Sequence, residues 1–173
     1  ILVVHTNGDF HTTDFDLNNH YDPDILLLEK YDPDKVWTAV LFDADQQNYP
    51  YLKRFPLESS ARRQNYLGEN RQSRPVLLSG EAFPRIRVSF GGNDAFREPL
   101  LIEAADFVGV KSFKAKGKRL TTFTVDQIEE LEPLRTPEAE PEASEETSGA
   151  ETLSATDGEN GQMNLFADDD PKV

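Results

Sequence analysis

Residues 36–57 read VWTAVLFDADQQNYPYLKRFPL, two apolar runs separated by a short polar segment. In the first run, residues 36–42, β-branched side chains alternate with other apolar ones, which is the period of a strand. The polar residues 43–48 predict a loop, and residues 49–57 predict the returning strand. The aromatic residues of this stretch could stack on single-stranded nucleic acid. On strands of this pattern we expect them in the core instead: Trp37, Phe42, Tyr49, Tyr51 and Phe55.

Outward from this hairpin, short apolar runs recur with turn signals between them. Asn7-Gly8 separates the runs 1–5 and 9–15 and favours a tight hairpin turn. Further strands are expected at 25–29, 76–79, 85–90, 100–103, 107–110 and 120–125, with a less regular run at 127–131. Residues 59–67 are the best candidate for a helix. The pattern predicts an all-β sandwich, barrel or propeller.

An internal repeat is suggested by strands that end in phenylalanine. Phe15, Phe55, Phe90 and Phe123 lie 40, 35 and 33 residues apart. A four-stranded propeller blade takes about 40–50 residues. The spacing therefore favours propeller-like blades.

The composition changes after Leu134. Residues 136–161 consist almost entirely of Glu, Pro, Ser, Thr, Ala and Gly, and Leu153 is their only large apolar residue. Such a segment cannot bury enough apolar surface to offset the entropy of ordering. The sequence predicts a β domain over residues 1–134 and a disordered acidic tail over residues 135–173.

The net charge of −14 is unevenly distributed. Residues 51–119 hold fourteen basic and seven acidic residues, whereas residues 1–50 hold ten acidic and two basic ones. Residues 136–173 hold eleven acidic residues and one lysine. The overall acidity argues against a nucleic-acid binder, but the basic middle permits one.

The chain has no cysteine, which excludes disulfides and thiol metal sites. Its apolar start, residues 1–4, is too short for a signal sequence or a membrane span. We expect a strand cut from a longer cytoplasmic protein, with no membrane partner.

The basic residues occur in clusters. A cationic turn can meet successive phosphates and release their counterions, whereas the alternative is a solvated surface that protects sheet edges. The candidate DNA-binding residues are Lys53, Arg54, Arg62, Arg63, Arg71, Arg74, Arg85, Arg87, Lys111, Lys114, Lys116, Lys118 and Arg119.

No catalytic constellation or metal-ligand spacing is found, so the chain itself is predicted to be non-catalytic, with no metal site and no cofactor. His5, His11 and His20 show no ligand spacing. Tyr-Asp-Pro-Asp occurs at 21–24 and again at 31–34. Aspartate followed by proline opens type I turns, and a calcium site is the less favoured interpretation.

Three segments resemble the C-terminal domain of the A subunit of type IIA DNA topoisomerases, gyrase and especially the Bacteroidetes-type topoisomerase IV. The first runs from Val36 through a polar loop to the Tyr-Leu-Lys-Arg-Phe strand at 51–55. The second is the weaker hairpin 75–79 with 85–90. The third and most specific is residues 107–123, a strand, a Lys-Gly-rich turn and a Leu-Thr strand. The resemblance covers roughly residues 1–133.

The resemblance implies a β-pinwheel of about three propeller-like blades whose basic rim binds and bends duplex DNA. The DNA-attacking tyrosine, Mg and ATP would belong to the rest of the A subunit and to the ATPase B subunit, in the cytoplasm at the nucleoid. Gyrase's Gln-Arg-Arg-Gly-Gly-type box is absent, which favours topoisomerase IV and argues against full wrapping of DNA. The positions that match basic positions of the family are Lys53, Arg54, Lys114, Lys116, Lys118 and Arg119.

The tail contains one apolar motif, Gln162-Met163-Asn164-Leu165-Phe166. It resembles the pentapeptide by which bacterial proteins bind the sliding clamp, with Gln162, Met163, Leu165 and Phe166 as contact residues. A disordered segment can carry such an anchor to a preformed pocket, and a chance apolar cluster is the alternative. The acidic tail could also compete with DNA for the basic rim.

The sequence also permits two other interpretations. A propeller or sandwich that binds only proteins is favoured by the overall acidity. A carbohydrate- or calcium-binding β module has only the two Asp-Pro-Asp turns in its support.

Overall fold

A computed structural model of the protein describes residues 1–135, and this part of the chain is nearly all β. The strands are β1 (Leu2–His5), β2 (Asp9–Thr12), β3 (Ile25–Glu29), β4 (Val36–Asp43), β5 (Tyr49–Pro56), β6 (Gln64–Asn65), β7 (Arg74–Ser79), β8 (Arg85–Phe90), β9 (Leu100–Glu103), β10 (Lys118–Arg119) and β11 (Val125–Leu131). A single turn of helix, α1, covers Ala104–Phe107, and two 3₁₀ turns cover Ala44–Gln46 and Gly92–Asp94. The expected all-β class is confirmed. The tail from residue 136 onward, with the motif at 162–166, lies outside the described residues.

Sheet 1 has the strand order β3-β1-β2-β6. Its central hairpin turns at Asn7-Gly8, as predicted, with Gly8 at φ 92°. The Asn7 side chain accepts a hydrogen bond from the Asp9 amide at 2.9 Å, which closes the turn. Val3 pairs with His11 across this hairpin.

Sheet 2 has the order β10-β5-β4-β7 and contains the two predicted strands of residues 36–57. They pair antiparallel over eight positions, from Val36 opposite Pro56 to Asp43 opposite Tyr49. In the connecting turn, an Asp43 carboxylate oxygen accepts a hydrogen bond from the Asp45 amide at 2.9 Å.

Sheet 3 has the order β11-β8-β9, and Ile86 pairs with Ile102 at its centre. The described residues thus form three antiparallel sheets, and none of these sheets closes into a barrel. None of the helices in this part of the chain is long and apolar enough to cross a membrane.

The three sheets share one construction. Each is built on a hairpin, β1–β2, β4–β5 or β8–β9, and a third strand pairs with the first strand of that hairpin. In sheets 1 and 2 a two-residue strand from beyond the next hairpin pairs with the second strand: β6 with β2, and β10 with β5. Sheets 1 and 2 are thereby each tied to a later stretch of the chain. The matching edge of β9 has no strand beside it within residues 1–135.

Two clusters of buried apolar side chains pack the three sheets against one another. The first joins sheets 1 and 2 and includes Phe10, Trp37, Phe55, Tyr66 and Phe113. The second joins sheets 2 and 3 around residues such as Val40, Leu52, Ile86 and Leu120. Burying each large side chain stabilises the fold by roughly 1.5–3 kcal/mol. The core position expected for Trp37, Tyr51 and Phe55 is confirmed.

The helix expected over residues 59–67 is wrong. Asn65 lies in β6, where its side-chain Nδ2 donates to Asp9 Oδ1 at 2.8 Å and its side-chain Oδ1 accepts from the Leu67 backbone amide at 2.7 Å. Such a bond from a side chain to the nearby backbone competes with helix formation. Tyr66 and Leu67 are then buried in the first cluster.

Two expected strands also differ. The run 107–110 overlaps the end of the helical turn Ala104–Phe107, and the Val108 amide donates the last hydrogen bond of that turn to the Ala104 carbonyl at 3.3 Å. In the run 120–125 only Val125 is in a strand, because the Thr121 hydroxyl accepts from the Phe123 amide at 3.0 Å and bends the chain.

The phenylalanine repeat is wrong in part. Phe55 and Phe90 lie in β5 and β8, but Phe15 is 71% exposed and follows the end of β2 at Thr12. Phe123 lies between β10 and β11. The repetition in the fold is one of strand pairing and not of this residue.

Candidate nucleic-acid interface

The structure separates the thirteen basic residues that the sequence singled out. Some form ion pairs within the fold, some are partly buried, and one group is gathered on a single loop at the edge of sheet 2. The loop comprises residues 111–119 and is called the lysine loop below.

Four of the thirteen form ion pairs with carboxylates. Arg63 pairs with Asp22, and Arg85 donates to Glu103 at 2.9 Å. Arg87 lies 4.0 Å from Glu129, its neighbour on β11. The fourth is Lys116, described below. Arg85 and Arg87 share a strand, as predicted, but both are opposed by acidic partners that weaken their attraction for phosphate.

Arg54 is partly buried, and burial lowers the pKa of its guanidinium. It donates to the Thr38 hydroxyl at 3.4 Å and to the Ala82 carbonyl at 3.3 Å. Arg74 lies over the Phe42 ring at 4.9 Å. Arg62 and Arg71 are exposed in turns beside β6.

The lysine loop is attached to sheet 2 at both ends. The Lys111 amide donates to the Arg54 carbonyl at 2.9 Å, and the Leu120 amide donates to the Pro50 carbonyl at 2.8 Å. Between these points Phe113 is buried in the first cluster, edge-on to Phe10 with ring centroids 5.0 Å apart. These contacts fix the course of the loop while its lysines remain outside.

Gly117 allows the loop to lie directly on β5. Its φ is 86°, and a Cβ there would be 2.5 Å from the Leu52 carbonyl oxygen. An L side chain would meet both a strained backbone and this oxygen. The glycine brings Lys118 and Arg119 into register as β10, opposite Leu52 and Tyr51.

Lys53 lies beneath the loop and not on the surface. It is 4% exposed, and its ammonium donates to the Phe113 carbonyl at 2.6 Å and to the Ala115 carbonyl at 3.1 Å. Burial lowers the pKa of Lys53 to about 8, although the charge of Asp43 opposes that shift. A direct phosphate contact by Lys53 is incompatible with this burial. Its position supports the loop instead, a role that the sequence did not indicate because a lysine in a basic run is normally exposed.

Lys116 faces two carboxylates in the turn between β4 and β5. Its ammonium lies 3.6 Å from Asp45 and 4.0 Å from Asp43. These groups line a cavity of 480 Å³ together with Lys53, Gln64 and Phe113. The two aspartates were not among the candidate site residues, because their proximity to the loop arises only from the pairing of β10 with β5.

The remaining lysine-loop cations have no carboxylate within ion-pair distance in the described part of the chain. Lys118 lies over the Phe107 ring at 4.4 Å, and Arg119 lies over the Tyr49 ring at 5.4 Å. Lys111 and Lys114 are exposed. The loop therefore presents four uncompensated cations, from Lys111 to Arg119, on a well-anchored segment.

One of the two Asp-Pro-Asp sequences forms a simple turn. Asp32 accepts from the Asp34 amide at 2.9 Å through its side chain, and the Lys35 amide donates to its carbonyl at 3.3 Å. The other sequence contacts a buried histidine, His5, whose Nδ1 lies 3.0 Å from Asp24. This contact could not be predicted from the sequence, since the two residues are 19 positions apart along the chain.

Comparison with known proteins identifies the family of this chain. No curated protein matches the chain, and no solved structure matches it either. A sequence model of the family described as Topoisomerase C-terminal domain, Bacteroidota, matches residues 1–132. That range contains all three sheets and the lysine loop. The chain therefore belongs to the family of Bacteroidota topoisomerase C-terminal domains.

Proposed function

We propose that this domain binds and bends duplex DNA for a type IIA topoisomerase and that it belongs to the A subunit. The lysine loop carries the proposal, because four exposed cations that have no acidic partner among residues 1–135 lie on an anchored segment of nine residues. Successive ammonium and guanidinium groups on such a segment can neutralise neighbouring phosphates of one DNA strand. The contacts would position DNA without reading its bases.

In this proposal the domain performs no chemistry. Strand cleavage and ATP hydrolysis, with their Mg and ATP, would occur in the rest of the A subunit and in the ATPase B subunit. The domain would hold DNA in place for strand passage, in decatenation or relaxation, in the cytoplasm at the nucleoid. Sliding-clamp binding through Gln162–Phe166 stays a prediction.

The test is fluorescence anisotropy of the 173-residue chain with a labelled duplex of a few tens of base pairs, over a series of salt concentrations. The variant Lys114→Ala with Lys118→Ala removes two exposed loop cations. We expect weaker binding to every duplex sequence, and a slope of log affinity against log salt that is smaller in magnitude by about 2.

The matched control is Arg85→Ala with Arg87→Ala, which removes the same charge from cations that already have acidic partners. It should change affinity much less. Equal losses in the two variants would assign binding to net charge and not to the loop. No binding of the unaltered chain at low salt would contradict the proposal and favour a domain that binds only proteins.

A further inference from the structure

A group of polar side chains outside the lysine loop lies on sheet 1. His5 ends β1, and Asp22 and Asp24 lie in the segment that leads into β3. Each of these three side chains offers one ligand atom, and the three atoms lie within 4.8 Å of one another. Antiparallel pairing of β1 with β3 brings them together, since His5 is opposite Ile25.

The imidazole of His5 is buried, and only one of its two ring nitrogens forms a hydrogen bond. The residue is 1% exposed, and Nδ1 donates to Asp24 Oδ1 at 3.0 Å, but Nε2 has no hydrogen-bond partner. The ring of His11 stacks on it with centroids 5.4 Å apart, and His11 Nδ1 is also buried and unpartnered. Among the described residues only Gln64 Oε1 shares this condition. Buried polar atoms without partners are costly. The nitrogen that faces the carboxylates is Nδ1, so an ion between Asp22 and Asp24 would be bound by Nδ1, and the ring proton would then lie on Nε2.

The two carboxylates are held ready for a further ligand. Asp22 accepts from Arg63 through Oδ2, and Asp24 accepts from His5 through Oδ1. Each therefore keeps a second oxygen. Two carboxylates against one guanidinium leave a negative charge that a cation would offset.

We propose that His5, Asp22 and Asp24 bind a divalent transition-metal ion, and that this ion is Zn²⁺. One imidazole nitrogen with carboxylate oxygens suits Zn²⁺, whereas Mg²⁺ and Ca²⁺ prefer sites made of oxygen alone. Ligands of tetrahedral Zn²⁺ are about 3.3 Å apart, given bonds of about 2.0 Å. Side-chain rotations that move the ligand atoms by about an ångström would bring the three atoms to that spacing.

The bound ion would act as a structural link. It would join the end of β1 to the segment before β3, and Arg63, which holds Asp22, would extend the link to the chain ahead of β6. Ligands supported by such outer hydrogen bonds are better oriented for the metal. The site lies on sheet 1 and shares no residue with the lysine loop, so it does not depend on the proposed DNA binding.

The chain supplies its own control. Tyr-Asp-Pro-Asp at 31–34 repeats the sequence at 21–24, but Asp32 and Asp34 form a simple turn and belong to no such cluster with a histidine among the described residues. The variant Asp22→Asn with Asp24→Asn should lose Zn²⁺ binding. The variant Asp32→Asn with Asp34→Asn loses the same charge from the same tetrapeptide and should keep it.

The experiment is titration calorimetry and thermal unfolding of the EDTA-treated 173-residue chain with Zn²⁺, and with Mg²⁺ for comparison. We expect one equivalent of Zn²⁺ to bind and to raise the melting temperature by about 5–10 °C at a hundredfold excess over Kd, with no such shift from Mg²⁺. Absence of Zn²⁺ binding, or equal binding by the two double variants, would overturn the proposal.

A spectroscopic measurement keeps the test valid if the Asp22/Asp24 variant unfolds. In ¹⁵N spectra of the histidine side chains of the unaltered protein, Zn²⁺ should shift the ring nitrogens of His5. The exposed His20 serves as the internal reference. If only the His20 nitrogens shift, or if the nitrogens of neither histidine shift, the assignment is contradicted.

Discussion

At the scale of single residues, the ammonium of Lys53 determines how the lysine loop is supported. Two backbone carbonyls, of Phe113 and Ala115, point at one buried nitrogen. The neutral amine has two N–H groups and the ammonium has three. Either form can therefore satisfy both carbonyls, but only the charged form is penalised by burial.

The first prediction concerns the pH dependence of stability. Since the pKa of Lys53 is about 8 in the fold and about 10.4 in an unfolded chain, the unfolded chain binds more protons between these values. Stability from this residue is therefore reduced below pH 8 and rises as the pH increases through the window from 8 to about 10.4. The free energy of unfolding of the unaltered protein relative to Lys53→Met should rise by up to about 3 kcal/mol across that window.

Urea unfolding at several pH values between 7 and 10.5 measures this difference. Lys111→Met is the control, because it removes an exposed lysine of the same loop and should show no comparable trend. A difference between the unaltered protein and Lys53→Met that stays level or falls with pH would contradict the assigned burial of the charge.

At the scale of elements, the lysine loop and the turn between β4 and β5 form one electrostatic unit. The turn places Asp43 and Asp45 beside Lys116, so one cation of the loop is partly neutralised before any partner arrives. An ion pair at the surface contributes little to stability. Its effect on the binding of an anion is larger, because the aspartates repel phosphate as well.

The second prediction follows from this pairing. Asp45→Asn should free Lys116 and remove a repulsive charge, so affinity for duplex DNA at low salt should increase several-fold, with a smaller gain at high salt. Anisotropy titrations at two salt concentrations measure it. Asp34→Asn removes one charge from the turn before β4, where Asp34 forms no ion pair with a lysine-loop cation, and should leave affinity nearly unchanged. An equal gain from both variants would show that only net charge matters.

The elements also show what can be predicted from this sequence. The hairpin β4–β5 is predictable, because alternation of side chains and a polar turn are local signals. The strands β6 and β10 are not, since each is two residues long and exists only through pairing with a distant strand. The same holds for the sites: the basic loop is visible in the sequence, but Lys53 under it and Asp24 beside His5 depend on that distant pairing.

At the scale of the whole molecule, the net negative charge opposes binding of the proposed partner, DNA. The described residues, 1–135, have a net charge of −4, whereas the entire chain has −14. The basic residues of the lysine loop are therefore surrounded by a net negative electrostatic field, which repels DNA. Long-range repulsion of this kind slows association and is screened by salt within about 10 Å at 0.1 M.

The last prediction tests that field. A chain ending at residue 135 should bind duplex DNA more tightly than the 173-residue chain at low salt, and the gap should narrow as salt is added. A full-length variant with every Asp and Glu of residues 136–173 changed to Asn or Gln keeps the length but removes the charge. If charge is the cause, this variant will match the shortened chain in anisotropy titrations. If it matches the unaltered chain instead, the effect of residues 136–173 is steric, and the electrostatic explanation is wrong.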